Sequence, residues 1–232
     1  MAVKGTTATG TPSLWLPAAG GGRVRYTPRG PRALPTFAAP RASPRCRVAF
    51  AAAHVVADPL ADNTPGQPAA LDWDATLAFR RHLWAHGLGH AEAMDTAQRD
   101  SGLDHVAARE LVRRSAAEAR ACGGRIAAGV STDQLPDVTA GERPPALAVI
   151  AAAYQEQAKE VEAAGAQVVL LASRHLARAA RHADDYLEVY GQVLEGQSAP
   201  AILHWLGPAF DPALAGYWAR QTSTRRPRRC CA

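Results

Sequence analysis

The sequence predicts an α/β protein whose strands are parallel and joined by helices. Three observations carry that prediction. Val168-Val169-Leu170-Leu171 and Ala201-Ile202-Leu203 are short, continuously apolar runs, as strands buried on both faces require. Between them, residues 183–195 repeat apolar side chains at helical spacing, with Tyr186, Val189, Tyr190 and Val193 on one face. Upstream, the same alternation of short apolar run and helical stripe recurs back to Val48. Strand, helix and strand in succession form a crossover unit, and such units build parallel sheets.

Taken in order, residues 1–12 are rich in Gly and Thr and are expected to be loose. Ser13–Leu16 and Arg23–Tyr26 alternate around the small residues 18–22 and predict a β-hairpin. Residues 27–47, rich in Pro and Arg, read as an extended connector, so 1–47 form an N-terminal arm. The main domain, 48–219, opens with a strand at Val48–Ala53 and a loop from His54 to Ala70. Asp72 is placed to cap a helix reaching about His86, with Trp73, Leu77, Arg80 and Trp84 on one face. Residues 88–94 read as the second strand. Asp104 caps a helix over 105–121 with Ala108, Leu111, Val112 and Ser115 inward, and 124–129 read as the third strand. Pro144 and Pro145 open the next helix, whose stripe is Leu147, Ile150, Tyr154, Ala158 and Val161, and Gly165 ends it. The fourth strand spans 167–172. Asp184 and Asp185 lie where a helix N-terminus favours negative charge, and Gly196 stops that helix before a fifth strand at 201–205. A short helix is expected from Asp211 to about Trp218.

Five strands alternating with four full helices fit either a (β/α) barrel or a doubly wound sheet. No G-x-G-x-x-G turn follows the first strand, which weakens the dinucleotide-binding form of the latter. A complete (β/α)₈ barrel needs eight strands and about 250 residues, and here the alternation stops after the fifth. Residues 220–232, with five Arg and no acid, lack apolar periodicity and are expected to be unfolded, as a basic tail or as the frameshifted end of a longer reading frame.

The net charge of +5 conceals an uneven distribution. Residues 1–47 hold eight Lys or Arg and no acid, and the middle, 48–219, holds 13 basic and 21 acidic residues, a net of −8. An acidic body argues against nucleic-acid binding despite the basic ends. The four cysteines, Cys46, Cys122, Cys230 and Cys231, form no C-x-x-C pair, so neither a zinc site nor a disulfide framework is signalled. The longest apolar stretches fall well short of the roughly 20 residues that span a bilayer, and no leader pattern opens the chain. A cytoplasmic protein acting on a small molecule is the expectation.

The stretches RVAFAAAHVVADPLADN, LGHAEAMDTAQRDSGLD, GGRIAAGVSTDQL, AGAQVVLLASRHLAR and PAILHWLGPAFDPALAGYW resemble the dihydrodipicolinate synthase / N-acetylneuraminate lyase superfamily, and most closely an uncharacterised dihydrodipicolinate-synthase-like branch of it. The resemblance implies the first five-eighths of a TIM barrel: a partial (β/α)₈ barrel of about five βα units behind the hairpin. It further implies lyase or aldolase chemistry on a small keto acid or sugar-derived substrate, through a Schiff base on a lysine of the sixth strand. That strand falls beyond the end of this chain. Lys4 lies in the loose arm and Lys159 on an exposed helix face, so the resemblance leaves the chain without its nucleophile and, in this form, inactive. His204 stands where the superfamily carries a proton-relaying tyrosine, and Thr96 in its carboxylate-binding loop.

Active sites of such barrels lie at the C-terminal ends of the strands. The catalytic candidates there are His204, Glu92 and His54, and the substrate-binding candidates are Asp95, Thr96, Thr132 and Arg174. Glu92, and His90 two residues before it, are expected to point into the barrel, because the other face of a parallel strand packs on helices. His90 and Glu92, with His204 across the barrel, are also placed to hold a divalent metal or to act as acid and base, and an alternative reading, a metal-assisted sugar isomerase or hydrolase, uses His54, Glu92 and His204. No other cofactor is implied. A third reading is a non-catalytic barrel fragment that self-associates through its open strand edges.

Overall fold

In the computed structural model the described residues are 13–27, 48–64, 69–99, 102–139 and 141–219. Residues 1–12, 28–47 and 220–232, read above as loose arm, connector and tail, lie outside them. The described residues belong to two units. The first is the hairpin: β1 (Leu14–Pro17) pairs antiparallel with β2 (Arg23–Tyr26), Leu14 opposite Tyr26 and Pro17 opposite Arg23. Gly21 and Gly22 turn the chain at φ +79° and +93°, a region that favours glycine.

The second unit is a half barrel. Its elements are β3 (Phe50–Ala51), α1 (Trp73–Ala85), β4 (Gly89–Glu92), α2 (His105–Cys122), β5 (Ile126–Val130), α3 (Leu147–Ala163), β6 (Gln167–Leu170), α4 (Arg174–Ala179), α5 (Ala183–Glu195) and β7 (Ile202–Leu203). The five strands β3 to β7 are parallel and lie side by side in chain order. A doubly wound sheet reverses direction at a switch point, so its order is not sequential; sequential order with a helical link at each step is the arrangement of a (β/α)₈ barrel. The fold is therefore a partial TIM barrel with an N-terminal β-hairpin.

The period of two along each strand divides the core into two faces. Ile126, Ala128 and Val130 of β5, with Val168 and Leu170 of β6, pack on the helices among Leu111, Ile150, Tyr154, Val189 and Val193. Ala91, Ala127 and Val169 point the other way and meet Met94, with Phe50, Leu171 and Ile202 at their margin. Side-chain caps set the helix starts. Asp72 accepts from the Ala75 amide, Asp104 from Ala107 and Ser173 from Leu176. Left-handed Gly123 and Gly165 follow α2 and α3.

Sequence and structure part at the sheet's two ends. The first and fifth strands, expected over 48–53 and 201–205, are two residues each, and Leu203 is 47% exposed. Each lies at an end of the strand order, where one side of the ladder has no described partner. The fourth crossover carries an unexpected extra helix, α4, and the helix expected over 211–218 is two 3₁₀ turns, Pro212–Leu214 and Tyr217–Ala219. No helix among the described residues is long and apolar enough to cross a membrane.

Candidate functional site

A cavity of about 310 Å³ opens where the strands end. The parity of the strands decides what lines it. Ser131, Leu171 and His204 continue the face opposite the helices beyond β5, β6 and β7, and all three border the cavity. Asp95, from the turn after β4, and Arg174, at the start of α4, complete its polar wall, while Leu206, Phe210 and Leu214 supply an apolar one. Larger hollows lie elsewhere, about 600 Å³ against α2 and α3 and about 570 Å³ at the strands' N-terminal ends. Barrels of this class place their chemistry at the C-terminal ends, which singles out the smaller cavity.

His204 is held by its backbone, whose N–H donates to the Leu170 carbonyl at 3.0 Å. Its Nδ1 is buried and has no hydrogen-bond partner among the described residues. A buried polar atom without a partner is costly, and beside a cavity it is a position a ligand can satisfy. Arg174 Nε donates to Asp211 at 2.8 Å, with both side chains partly exposed. Behind the wall lies Arg99, buried, which sequence reasoning missed. Its guanidinium forks onto Asp133 at 3.0 and 2.6 Å, donates to Gln157 at 2.6 Å, and donates to the carbonyls of Gly129 and Ala93 at 2.6 and 3.3 Å. Burial raises the Asp133 carboxyl, but the bonds and charge of Arg99 prevail and hold it below its ordinary value. Nothing in the local sequence separates Arg99 from a solvated loop arginine; only the fold brings Asp133 and Gln157 to it.

Glu92 does not point into the barrel. It faces α1 and α2, as does His90, which corrects the expected orientation of both. Arg80 of α1 clasps Glu92 with two bonds of 2.9 Å, Ser115 of α2 donates at 2.5 Å, and the Ala93 amide donates at 3.0 Å. His90 donates through Nδ1 to the Ala51 carbonyl, and its Nε2 stands 3.1 Å from Glu92, off the direction of a hydrogen bond. Arg80, His90, Glu92 and Ser115 are all fully buried. A carboxylate turned toward the helix layer is tolerable only because that layer supplies a guanidinium.

The cluster fixes the backbone that leads into the site. Ala93, completely buried, has φ +50°, unusual for a residue with a side chain. Glu92 holds its N–H and Arg99 its carbonyl. Gly129 lies against it, and a Cβ there would stand 2.6 Å from that carbonyl. Two charged clusters thus grip one strained peptide at the foot of the turn that carries Asp95.

The remaining candidates are dispersed. His54 is exposed, its ring beside Phe79 and its carbonyl accepting from Arg80. Thr96 is exposed on the 3₁₀ turn Asp95–Ala97. Thr132 is buried on the helix side, 2.6 Å from Ser173 and 2.9 Å from Nδ1 of His175, whose Nε2 donates to the Pro136 carbonyl. Among the described residues no three His, Cys, Asp or Glu side chains are grouped to hold a metal ion, so His54, His90, Glu92 and His204 do not assemble as the metal reading required.

Among solved structures, the chain is similar to the 4-hydroxy-tetrahydrodipicolinate synthase from the thermoacidophilic methanotroph Methylacidiphilum fumariolicum SolV, at 15% sequence identity and a TM-score of 0.48. The similarity covers 71% of this chain and 46% of that one, so the chain spans under half of that protein's length. No curated protein matches. The family model described as "Protein of unknown function (DUF993)" matches residues 14–231, from the hairpin through all five parallel strands, and the chain belongs to that family.

Proposed function

We propose that this protein carries the acid–base and binding half of a carbon–carbon lyase site of the dihydrodipicolinate-synthase-like kind, for a small keto acid or a sugar-derived substrate in the cavity at the strand ends. The observation that carries the reading is His204: a buried ring nitrogen without a partner among the described residues, bordering a polar cavity at the barrel's C-terminal face. In this reading His204 moves the proton at the substrate's reacting carbon or hydroxyl, Arg174 binds the carboxylate, and Asp95 and Ser131 bind hydroxyls. About 310 Å³ suits a substrate of a few carbons. Lys159, the one lysine among the described residues, is exposed on α3, so the described residues provide acid–base and binding groups and no amine for an imine.

The test is proton exchange at the methyl carbon of pyruvate in heavy water, followed by NMR. Wild-type protein is expected to accelerate exchange with saturation below about 10 mM. His204→Gln is expected to lower the rate at least about tenfold, and Arg174→Met to raise the half-saturating concentration. Exchange no faster than in buffer, with no saturable binding of pyruvate or of a longer keto acid, would sink the reading. A second reading, a non-catalytic assembly protein, is favoured by Leu203 and Trp205, 47% and 45% exposed on and just beyond the strand at the end of the sheet. A folded monomer by sedimentation equilibrium would remove this second reading.

A further inference from the structure

The last turn of α1 carries a pair of histidines that the barrel does not use. His82 and His86 are four residues apart, hence on one face of the helix. Their ring centroids are 4.4 Å apart at 48°. His82 is exposed and His86 half-buried. We propose that this pair is a binding site for a borderline-soft divalent transition metal, with two imidazole ligands from the protein and water in the remaining positions.

Four observations support it. Nδ1 of His86 stands 2.9 Å from the His82 carbonyl. A carbonyl only accepts, so Nδ1 carries the proton and the Nε2 lone pair is left for a metal. Donation from the other ring nitrogen to a backbone carbonyl is the support that metal-binding histidines usually have. The position adds to this: His86 is the C-cap, its amide reaching the carbonyls of His82, Leu83 and Trp84, and the carbonyl end of a helix dipole favours a cation. Next, the neighbouring cation is committed elsewhere, since Arg81 pairs with Glu118 of α2 at 2.8 Å. Finally, rings whose centroids stand 4.4 Å apart on one helix face are close enough to share one ion with nitrogen–metal distances of about 2.0–2.1 Å.

The donor set defines the ligand class. Imidazoles select zinc, copper, nickel and cobalt over magnesium and calcium. The site is separate from the proposed catalytic cavity: α1 runs antiparallel to the strands it links, so its C-terminus lies at the opposite end of the barrel. A metal bridging consecutive turns would staple the end of the helix that carries Arg80, the partner of Glu92.

The experiment is calorimetric titration of the untagged full chain, its cysteines first blocked with iodoacetamide, with copper(II), nickel(II), zinc(II) and magnesium chlorides. One saturable equivalent is expected for the first three, copper tightest, and none for magnesium. His82→Gln and His86→Gln are each expected to weaken nickel binding at least about tenfold, with His105→Gln as an unaffected control. Nickel at 100 times its wild-type dissociation constant should raise the wild-type melting temperature by about 5–10 °C and that of each variant by no more than about half as much. Absence of a saturable equivalent overturns the proposal, as does binding that survives both substitutions. A folded variant that loses nickel binding but keeps its metal-free melting temperature supports it.

Discussion

Glu92 and Glu110 both hold their carboxyls down to about 2, for reasons that make them very different in worth. At Glu110 the bonds from Arg113 and Arg114 act at a partly exposed surface, where salt and water screen them. At Glu92 burial is the largest influence and pushes the carboxyl up; the contacts with His90 and Arg80 outweigh it. A carboxyl depressed in the folded state stabilises the fold above its ordinary value of 4.5, and that stability is lost as pH falls from there toward 2. The shift amounts to about 3 kcal/mol. Glu92→Gln keeps the shape but strands the Arg80 charge, and is expected to cost about 3–5 kcal/mol at pH 7 by urea unfolding. The gap between wild type and variant should narrow as pH falls through 4, and a gap independent of pH would refute the assignment. Should that variant not fold, Ser115→Ala removes a single bond to the same carboxylate and should cost about 1.5–3 kcal/mol. Half of this cluster was legible beforehand. Arg80 falls on the buried stripe of its helix, and a buried guanidinium calls for a carboxylate. What the residues did not show is which parity of the 88–94 run faces the helices, because Ala91 and Ala93 suit either side.

At the level of elements, helices were read well and short strands poorly. The helices over 105–121 and 183–195 carry long apolar stripes with a cap or acidic start, and the structure places α2 and α5 within a residue of those bounds. α4 has six residues, too few for periodicity to show, and only its Ser173 cap betrays it. Strand ends are set by pairing rather than by apolar runs, so β3 and β7 shrink where neighbours end. Two glycines test how the elements meet. Gly129 sits where β5 presses on the Ala93 carbonyl, and an added Cβ would also stand 2.9 Å from Leu171. That carbonyl is gripped by Arg99 and cannot retreat cheaply, so Gly129→Ala is expected to destabilise by about 1–3 kcal/mol and to weaken any ligand binding at the strand ends. Gly191 lies inside α5 with open space around it. There Gly191→Ala removes only unfolded-state freedom and should stabilise by about 0.5–1 kcal/mol. Thermal unfolding of the two variants should move in opposite directions, and a stabilised Gly129→Ala would show that the Ala93 turn is not held as described.

For the whole molecule, sequential strand order makes stability a gradient across the sheet. β5 has parallel neighbours on both sides, and all five of its residues are buried. β6 is nearly as enclosed, with three of its four buried. β3 and β7 hold two residues each, with one described neighbour apiece and half-buried or exposed side chains. Local opening needs fewer broken contacts at those ends than a global one at β5. Amide exchange on the full chain should therefore be slowest at Ile126–Val130 and Val168–Leu170, near the rate set by global unfolding. The amides hydrogen-bonded across the β6–β7 step, that of His204 among them, should exchange at least about 100-fold faster. The gradient bears on function, since His204 hangs from the least protected strand while Arg99, Ser131 and Asp95 rest on the most protected part of the sheet. Ligand binding at the cavity would then be expected to slow exchange at β7 most. Were β7 found as protected as β5 in the free protein, something must cover its edge, and the exposed Leu203 and Trp205 would mark where. A protection that fades on dilution would identify the cover as a second copy of the chain, and one independent of concentration would place it within the same molecule.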